Sequence, residues 1–238
     1  MKQTKYNRWK HVAISFIIVT IIMTAFTGIL FMKSGYAKRI AIKIGWGIYN
    51  PSGRESNVIN GWNSALDDFS SEIVFLGDSI VYGGEWDTYF PEKSVCKLAV
   101  PGDSIEQVLY RADMVKKLDP SKVFILVGVN NVSRGNYEKT IEDNYSQLLD
   151  VLSDIECEIY VQSILPVRKP SKVDNNRINT ANEIIHRLAD KYNCTYIDIH
   201  TSFLNEDGEM KQELTKDGVH LNEDGYKVWI EQIRDFVF

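Results

Sequence analysis

Two motifs contain the residue types that could together cleave an ester or amide bond. Gly77-Asp78-Ser79-Ile80 places a serine directly after an apolar run, and Asp217-Gly218-Val219-His220 places a carboxylate three residues before an imidazole. A serine hydroxyl is a weak nucleophile until a base accepts its proton and a third group orients that base. A turn can bring Asp217 onto the ring of His220. We therefore predict Ser79 as nucleophile, His220 as base and Asp217 as the residue that orients it.

Two further motifs could stabilise the negative charge that develops on an attacked carbonyl oxygen. Gly102 follows a predicted strand, and no side chain shields its backbone amide from a substrate. Asn130 follows the next predicted strand, in Gly128-Val129-Asn130-Asn131, and its side-chain amide can donate a hydrogen bond. Donors fixed in advance in this way form an oxyanion hole. We predict one from the Ser79 and Gly102 backbone amides and the Asn130 side chain.

Apolar runs alternate with amphipathic stretches along residues 71–238. Unbroken runs such as Ile73-Val74-Phe75-Leu76 favour strands buried on both faces, as in a parallel sheet covered by helices. The predicted fold class is α/β, a three-layer α/β/α sandwich around a central parallel sheet of about five strands. The predicted strands are Glu72–Leu76, Ser94–Val100, Lys122–Val127, Glu158–Ile164 and Thr195–Ile199, and the predicted helices are Ser104–Leu118, Tyr137–Ser153, Asp174–Tyr192 and Glu223–Phe236. Such sheets carry their chemistry at the carboxyl ends of the strands, where the serine, glycine and asparagine motifs lie.

In order and approximate spacing, these motifs resemble the signature blocks of the SGNH, or GDSL, hydrolases. The resemblance covers about residues 72–225 and rests on Gly-Asp-Ser at 77–79, Gly102, Gly-x-Asn at 128–130 and Asp-x-x-His at 217–220. It implies a flavodoxin-like fold and a serine hydrolase. It also implies the same triad of Ser79, His220 and Asp217, with an oxyanion hole formed by Ser79, Gly102 and Asn130.

Two positions depart from the common family pattern. Asn131 stands where many members carry aspartate, a variant that resembles the catalytic subunits of platelet-activating-factor acetylhydrolase. Ala99-Val100-Pro101 stands where many members carry an asparagine shortly before the glycine. Neither change replaces a predicted catalytic residue, so both bear on the choice of substrate.

Other residues near the motifs admit two interpretations. His200 competes with His220 as base, because Asp198 lies two residues before it and alternation in an extended segment would put both side chains on one face. The family pattern has no matching histidine, so we expect His220 to be essential and His200 dispensable. Tyr82, Trp86 and Tyr89 either line an acyl or sugar pocket or pack against the sheet.

The negative net charge argues against nucleic acids as partners. The 238 residues carry a formal net charge of −5, and residues 1–32 hold four basic residues and no acidic one, which leaves −9 on the remainder. An acidic domain repels phosphate backbones, and no nucleic-acid motif is present. We therefore expect no binding to DNA or RNA.

The amino-terminal segment has the character of a membrane anchor. Val12–Met32 is 21 residues without a charge, long enough to cross a bilayer as a helix. A cleaved signal peptide is the alternative, with Gly35-Tyr36-Ala37 as the cleavage site. The sequence thus predicts a short tail at 1–11, an anchor at 12–32, a spacer at 33–70 and a hydrolase domain at 71–238. Basic residues flank both sides of the span equally, so charge does not set its orientation.

Three cysteines, Cys96, Cys157 and Cys194, lie beside or within apolar stretches. Their spacing matches neither a zinc site nor a redox pair, so we expect free thiols and no metal. A bridge between Cys157 and Cys194 is the alternative.

The sequence predicts a serine esterase that hydrolyses short acyl esters, acetyl above all, on cell-surface glycans and without a cofactor. By analogy, the catalytic domain is expected outside a bacterial cytoplasmic membrane, held there by residues 12–32. Three alternatives remain open: an O-acyltransferase with the same triad, a lysophospholipase or thioesterase, and a tethered binding module with a vestigial triad.

Overall fold

The structure is a computed structural model that describes residues 70–238 together with Thr20, Met23 and Thr24. Those three residues are helical, and the Thr24 hydroxyl donates to the Thr20 carbonyl oxygen at 2.7 Å. The rest of the predicted tail, anchor and spacer lies outside the described residues. Within the part that is described, no helix combines the length and the apolar character needed to cross a membrane.

Five parallel strands form a single sheet in the described domain. They are β1 (Ile73–Gly77), β2 (Val95–Ala99), β3 (Lys122–Leu126), β4 (Glu158–Gln162) and β5 (Thr195–Ile197). Their spatial order is β2-β1-β3-β4-β5, which is the flavodoxin-like order. The predicted parallel α/β sheet is therefore confirmed.

Eight α-helices connect or follow the strands in the described domain. They are α1 (Ser79–Tyr82), α2 (Trp86–Tyr89), α3 (Ile105–Tyr110), α4 (Asp113–Leu118), α5 (Val129–Val132), α6 (Tyr137–Leu152), α7 (Asn175–Lys191) and α8 (Glu223–Val237). Two 3-10 turns, Thr201–Phe203 and Gln212–Leu214, lie between β5 and α8. The three long helices begin and end within one residue of their predicted bounds. The one-turn helices α1, α2 and α5 are too short for the periodicity of the sequence to reveal.

Aromatic side chains form a ladder across one face of the sheet. Phe75, Phe124 and Tyr160 are register neighbours on β1, β3 and β4, with ring centroids 5.1 Å and 4.6 Å apart. Trp86 of α2 stacks on Phe75 at 3.8 Å, and Trp229 of α8 meets Trp86 edge to face. Both faces of β1 are fully buried, so helices must cover the sheet on each side. These contacts hold the sheet rigid beneath the loops at its carboxyl edge.

The predicted helix Ser104–Leu118 is two helices in the structure, because the segment bends between α3 and α4. Arg111 ends α3 with φ −106° and ψ 8°. Its guanidinium turns inward to the end of β1, where it donates to the Gly77 carbonyl oxygen at 2.8 Å. A tertiary contact thus coincides with the break in a stretch whose periodicity alone favours one helix.

The three cysteines are free thiols, as predicted, and each is partly buried. Burial raises the pKa of Cys96, Cys157 and Cys194 to about 11. The thiols therefore stay protonated at neutral pH.

Candidate active site

Ser79 lies where the chain leaves the sheet. Gly77 ends β1 so close to β3 that a β-carbon there would lie 2.2 Å from the Leu126 carbonyl oxygen. Asp78 then caps α1, its carboxylate accepting a hydrogen bond from the Ile80 amide at 3.0 Å. Ser79 is the first residue of that helix, so its backbone amide is among the N–H groups that have no partner within the helix. The Gly-Asp-Ser sequence therefore presents both a hydroxyl and an N–H donor at the sheet edge.

The loop before α8 brings an imidazole and a carboxylate to this hydroxyl. His220 Nε2 lies 3.0 Å from Ser79 Oγ, although the two residues are 141 positions apart in the sequence. His220 Nδ1 lies 2.7 Å from Asp217 Oδ2. The structure thus brings together all three residues that the sequence selects as a triad, in a continuous hydrogen-bonded chain.

Hydrogen bonds within the loop hold His220 in place. The Thr215 hydroxyl accepts from the Gly218 amide at 2.9 Å and donates to the His220 carbonyl oxygen at 2.8 Å. A neighbouring loop adds a further restraint, because the Arg168 amide donates to the Gly218 carbonyl oxygen at 2.9 Å. The backbone of the turn that carries His220 is therefore held by contacts within the loop and from the neighbouring loop.

Asp217 stays ionised in this environment. Partial burial raises its pKa, but hydrogen bonds from the His220 amide, the His220 ring and the Val219 amide outweigh that effect and lower the pKa to about 2. An ionised carboxylate accepts a hydrogen bond from Nδ1–H, so the ring keeps its proton on Nδ1. Nε2 is then unprotonated and can accept a proton from a serine hydroxyl.

The three predicted oxyanion donors lie at the ends of adjacent strands. Gly102 follows β2 with φ +85°, and nothing lies within 4 Å of the place where a β-carbon would be. Asn130 lies in α5, directly after β3, and its side-chain nitrogen donates one hydrogen to the Asp103 carbonyl oxygen at 2.8 Å. An amide nitrogen carries two hydrogens, so the second is available for a ligand.

Asn131, which departs from the family pattern, has a structural role. It is fully buried; its side-chain oxygen accepts from the Ile105 amide at 3.0 Å and its nitrogen donates to Glu106 at 2.9 Å. Burial raises the pKa of Glu106, but hydrogen bonds, including the one from Asn131, lower it overall. An aspartate at 131 would have no N–H to donate and would put a second negative charge beside Glu106. The change to asparagine therefore suits the neighbouring acid.

Sequence reasoning missed a buried charge pair under the site. Arg111 is 4% exposed and forms a salt bridge with Asp103, the residue after Gly102. The sequence does carry one indication that Arg111 is buried. Arg111 lies three residues after the buried Val108, so it falls on the same face of α3. A charge on a core-facing position marks a specific partner.

His200 is placed as a structural residue. The expected extended segment ends at Ile197, and His200 itself has helical dihedral angles at the start of a 3-10 turn. Its Nδ1 lies 2.8 Å from the Ile164 carbonyl oxygen, while Asp198 accepts from Thr201. The Ser163 hydroxyl links the two residues, since it donates to Asp198 at 3.2 Å and accepts from the His200 backbone amide at 2.8 Å. The His200 ring thus faces Ile164 rather than Asp198, and the structure pairs neither side chain with Ser79.

The three aromatic residues after the nucleophile divide between the two interpretations. Trp86 is buried in the stack on Phe75, so it packs against the sheet. Tyr82 is 52% exposed at the last position of α1, and Lys97 Nζ lies 5.0 Å from its ring centroid. Tyr89 stacks on Tyr226 of α8 at 6.4 Å. Tyr82 is thus exposed and Tyr89 half-buried, whereas Trp86 is closed to a ligand.

Comparison with known proteins identifies the family. The model of the GDSL-like lipase/acylhydrolase family matches residues 75–228, which include every motif described above. The chain belongs to this family, as the motifs predict, and the family places the domain among enzymes that act on ester bonds. No group of His, Cys, Asp and Glu side chains in the described residues could hold a metal ion.

The individual relatives have low sequence identity to this chain. A multidomain esterase of Ruminococcus flavefaciens is 28% identical over 190 residues, which cover 74% of this chain and 23% of that protein. The chain spans less than half the length of the curated relatives that it matches. Among solved structures, a GDSL-like lipase of Bacteroides thetaiotaomicron has a TM-score of 0.67 and 21% identity, covering 75% of this chain and 96% of its own. The acetyl xylan esterase AlAXEase has a TM-score of 0.60 and 24% identity, covering 70% and 99%. Both structures share the fold.

Proposed function

We propose that the domain is a serine esterase that hydrolyses short acyl esters, in which Ser79 is the nucleophile, His220 the base and Asp217 the residue that orients it. The observation that carries this proposal is the hydrogen-bonded chain from Ser79 Oγ to His220 Nε2 at 3.0 Å and from His220 Nδ1 to Asp217 Oδ2 at 2.7 Å. Nucleophile and base are within hydrogen-bonding reach, and the base is oriented by a third group, as nucleophilic catalysis requires.

In the first half of the reaction, Ser79 Oγ attacks the ester carbonyl carbon while His220 Nε2 takes the hydroxyl proton. The carbonyl oxygen becomes negatively charged and accepts hydrogen bonds from the Ser79 and Gly102 backbone amides and the Asn130 side chain. The imidazolium then gives its proton to the departing alcohol as the carbon–oxygen bond of the ester breaks. An acyl group remains on Ser79.

In the second half, His220 takes a proton from water, and the hydroxide attacks the acyl carbon. The same three donors receive the charge, and the bond to Ser79 Oγ breaks as the imidazolium returns its proton to that oxygen. The free acid leaves. Asp217 remains an anion throughout and stabilises the charged ring in both halves.

The openness of the site favours a small acyl group on a bulky alcohol. The side chains of His220 and Asp217 are 46% and 53% exposed, so the catalytic chain is accessible at the surface. A long lipid chain needs an apolar pocket that buries most of its area, whereas an acetyl group does not. Two similar proteins are named a multidomain esterase and an acetyl xylan esterase, which supports an acetylated glycan as the substrate.

The proposed membrane location is supported by the uncharged run Val12–Met32, and the side of the membrane is assigned by analogy. We place the catalytic domain outside the cytoplasmic membrane, anchored by residues 12–32, where cell-wall or surface glycans would be within reach. Protease treatment of intact cells should then cleave the domain. A domain that stays intact until the cells are lysed would contradict this location.

An ester panel tests the chemistry and the acyl length together. Wild type should release nitrophenol from the acetate ester faster than from esters of long-chain acids, and a fluorophosphonate probe should label Ser79. The variant Ser79→Ala should neither cleave the esters nor react with the probe. Faster cleavage of long-chain esters would favour a lysophospholipase or thioesterase instead. A folded wild-type protein that neither reacts with the probe nor cleaves any ester would contradict an esterase of any kind.

A further inference from the structure

Arg111 lies beneath the proposed oxyanion hole and contacts two of the loops that form it. Its guanidinium donates to the carboxylate of Asp103, to the Gly77 carbonyl oxygen at 2.8 Å and to the Gln107 carbonyl oxygen at 3.2 Å. Both charged side chains are almost fully buried, at 4% and 3% exposure. A planar guanidinium can donate in several directions at once, which suits it to joining separate segments.

Two of these contacts, those to Gly77 and Asp103, are close in sequence to a proposed oxyanion donor. Gly77 ends β1 two residues before Ser79, and Asp103 directly follows Gly102. The Asp103 carbonyl oxygen also accepts the hydrogen bond of 2.8 Å from the Asn130 side chain. One guanidinium therefore ties the end of β1 to the loop after β2, and through Asp103 it is linked to Asn130 in α5.

Stability alone does not account for this pair. Moving two charges out of water carries a large desolvation cost, and apolar side chains of similar volume often stabilise a core as well or better. A buried and multiply hydrogen-bonded pair does, however, fix the relative positions of the segments that it joins. Oxyanion donors need such precision, because a displacement of about 1 Å can cost 100-fold in rate.

We propose that Arg111 is a positioning residue of the active site: together with Asp103, it sets the ends of β1 and β2 so that the Ser79, Gly102 and Asn130 donors converge on one oxygen atom. This inference rests on the proposed esterase function. Arg111 itself does not touch the substrate. It acts through Asp103 and Gly77, and its effect should appear in the transition state rather than in substrate binding.

Arg111→Lys tests the geometry, because lysine keeps the positive charge but lacks the planar fork. With nitrophenyl acetate we expect kcat to fall about 10- to 100-fold and KM to change less than about threefold, since only the transition state carries the charge that the donors meet. The rate of fluorophosphonate labelling at Ser79 should fall in parallel. The matched control is Arg187→Lys, which alters an exposed pair with Glu142 at 3.2 Å and should leave all three quantities unchanged.

A double mutant separates positioning from a general structural role. Asn130→Ala removes one donor, so adding Arg111→Lys should cost much less than it does in wild type, because part of its effect passes through Asn130. If the fold-losses of kcat in the two single variants simply multiply in the double variant, the inference is overturned. If Arg111→Lys does not fold, the double variant Arg111→Gln, Asp103→Asn, which replaces the charged pair by a neutral one, takes its place. Thermal melting checks that this variant is folded.

The outcomes distinguish this inference from the function on which it rests. Wild-type protein that lacks esterase activity and does not react with the probe overturns the proposed function. Active wild type together with a folded Arg111→Lys that keeps full kcat overturns only the positioning role. Active wild type with reduced kcat, an unchanged KM and losses that do not multiply with Asn130→Ala supports it.

Discussion

The Asp217 carboxylate receives two hydrogen bonds from His220: the ring nitrogen Nδ1 lies 2.7 Å from one carboxylate oxygen, and the backbone amide lies 2.8 Å from the other. Both of these donors belong to one residue three positions further along the chain, and the Val219 amide adds a third hydrogen bond at 3.0 Å. The turn that creates this pairing also aims Nε2 at Ser79. Folding of a four-residue segment thus fixes the position and the tautomer of the proposed base together.

Asp217→Asn should separate position from charge. The asparagine oxygen can still accept the backbone amides, but an N–H group facing Nδ1 would favour the wrong tautomer of His220. We expect kcat to fall by about 10³-fold or more with KM little changed, measured on nitrophenyl acetate. Asp224→Asn, an exposed carboxylate of α8 paired with Lys227, is the control and should keep full activity. Retention of more than a third of kcat in Asp217→Asn would argue against its proposed role.

The two histidines should respond differently to replacement by alanine. His220→Ala removes the proposed base, so kcat should fall by about 10³-fold or more while the melting temperature stays close to that of wild type. His200→Ala removes a buried hydrogen bond to the Ile164 carbonyl oxygen, so it should lower the melting temperature while folded protein keeps its kcat. The reverse pattern would assign the base to His200.

Much of this arrangement could be predicted from the sequence because it depends on local pattern. Apolar runs with no polar interruption predict strands buried on both faces, and the motifs at their ends predict which side chains meet at the sheet edge. Ser79 is predicted in this way, whereas Asp217 and His220 are predicted from their three-residue spacing, which lets a turn pair them. The contact between Ser79 and His220 is not predictable from local pattern, since it depends on how two segments 141 positions apart pack together.

Two of the predicted boundaries that are wrong lie where a side chain forms a hydrogen bond with a distant backbone group. β4 was predicted to continue to Ile164, but it ends at Gln162, and the Ile164 amide donates instead to the Asn182 side chain at 2.7 Å. The break between α3 and α4 likewise coincides with a long-range contact, from the Arg111 guanidinium to the Gly77 carbonyl oxygen. Hydrophobic periodicity can mark a polar residue on a buried face, but it does not identify the distant group that the residue contacts.

Gly218 should not tolerate a side chain. Its φ is +91°, and a β-carbon there would lie 2.3 Å from the Arg168 carbonyl oxygen. Gly218→Ala should therefore displace the turn that carries Asp217 and His220, with kcat reduced about 10-fold or more and a lower melting temperature.

Gly208→Ala is a matched control for this effect. Gly208 also has a positive φ, +74°, but nothing lies within 4 Å of the place where its β-carbon would be. The substitution should cost only the backbone strain, about 1–2 kcal/mol of stability, and should leave kcat unchanged. Equal losses of kcat in the two variants would show that the close approach to Arg168 is unimportant.

Asp78 should make the stability of the domain depend on pH. Its pKa is raised to about 7: burial is the largest cause and Asp103 adds to it, while the Ile80 amide, His220 and Arg111 partly oppose the rise. A group with a raised carboxyl pKa keeps its proton in the folded state and loses it in the unfolded chain between about pH 4 and 7. The contribution of Asp78 to the free energy of unfolding should therefore decrease as pH rises through that range and then level off.

Asp78→Asn removes this titration and keeps the cap, because the asparagine oxygen can accept the Ile80 amide at the same position. The melting temperature of the variant, relative to wild type, should be higher at pH 8 than at pH 5, since only the wild-type carboxyl must lose its proton while buried. Asp217 does not interfere, because its lowered pKa of about 2 keeps it ionised throughout this range. The same difference in melting temperature at both pH values would show that Asp78 is not the group that titrates.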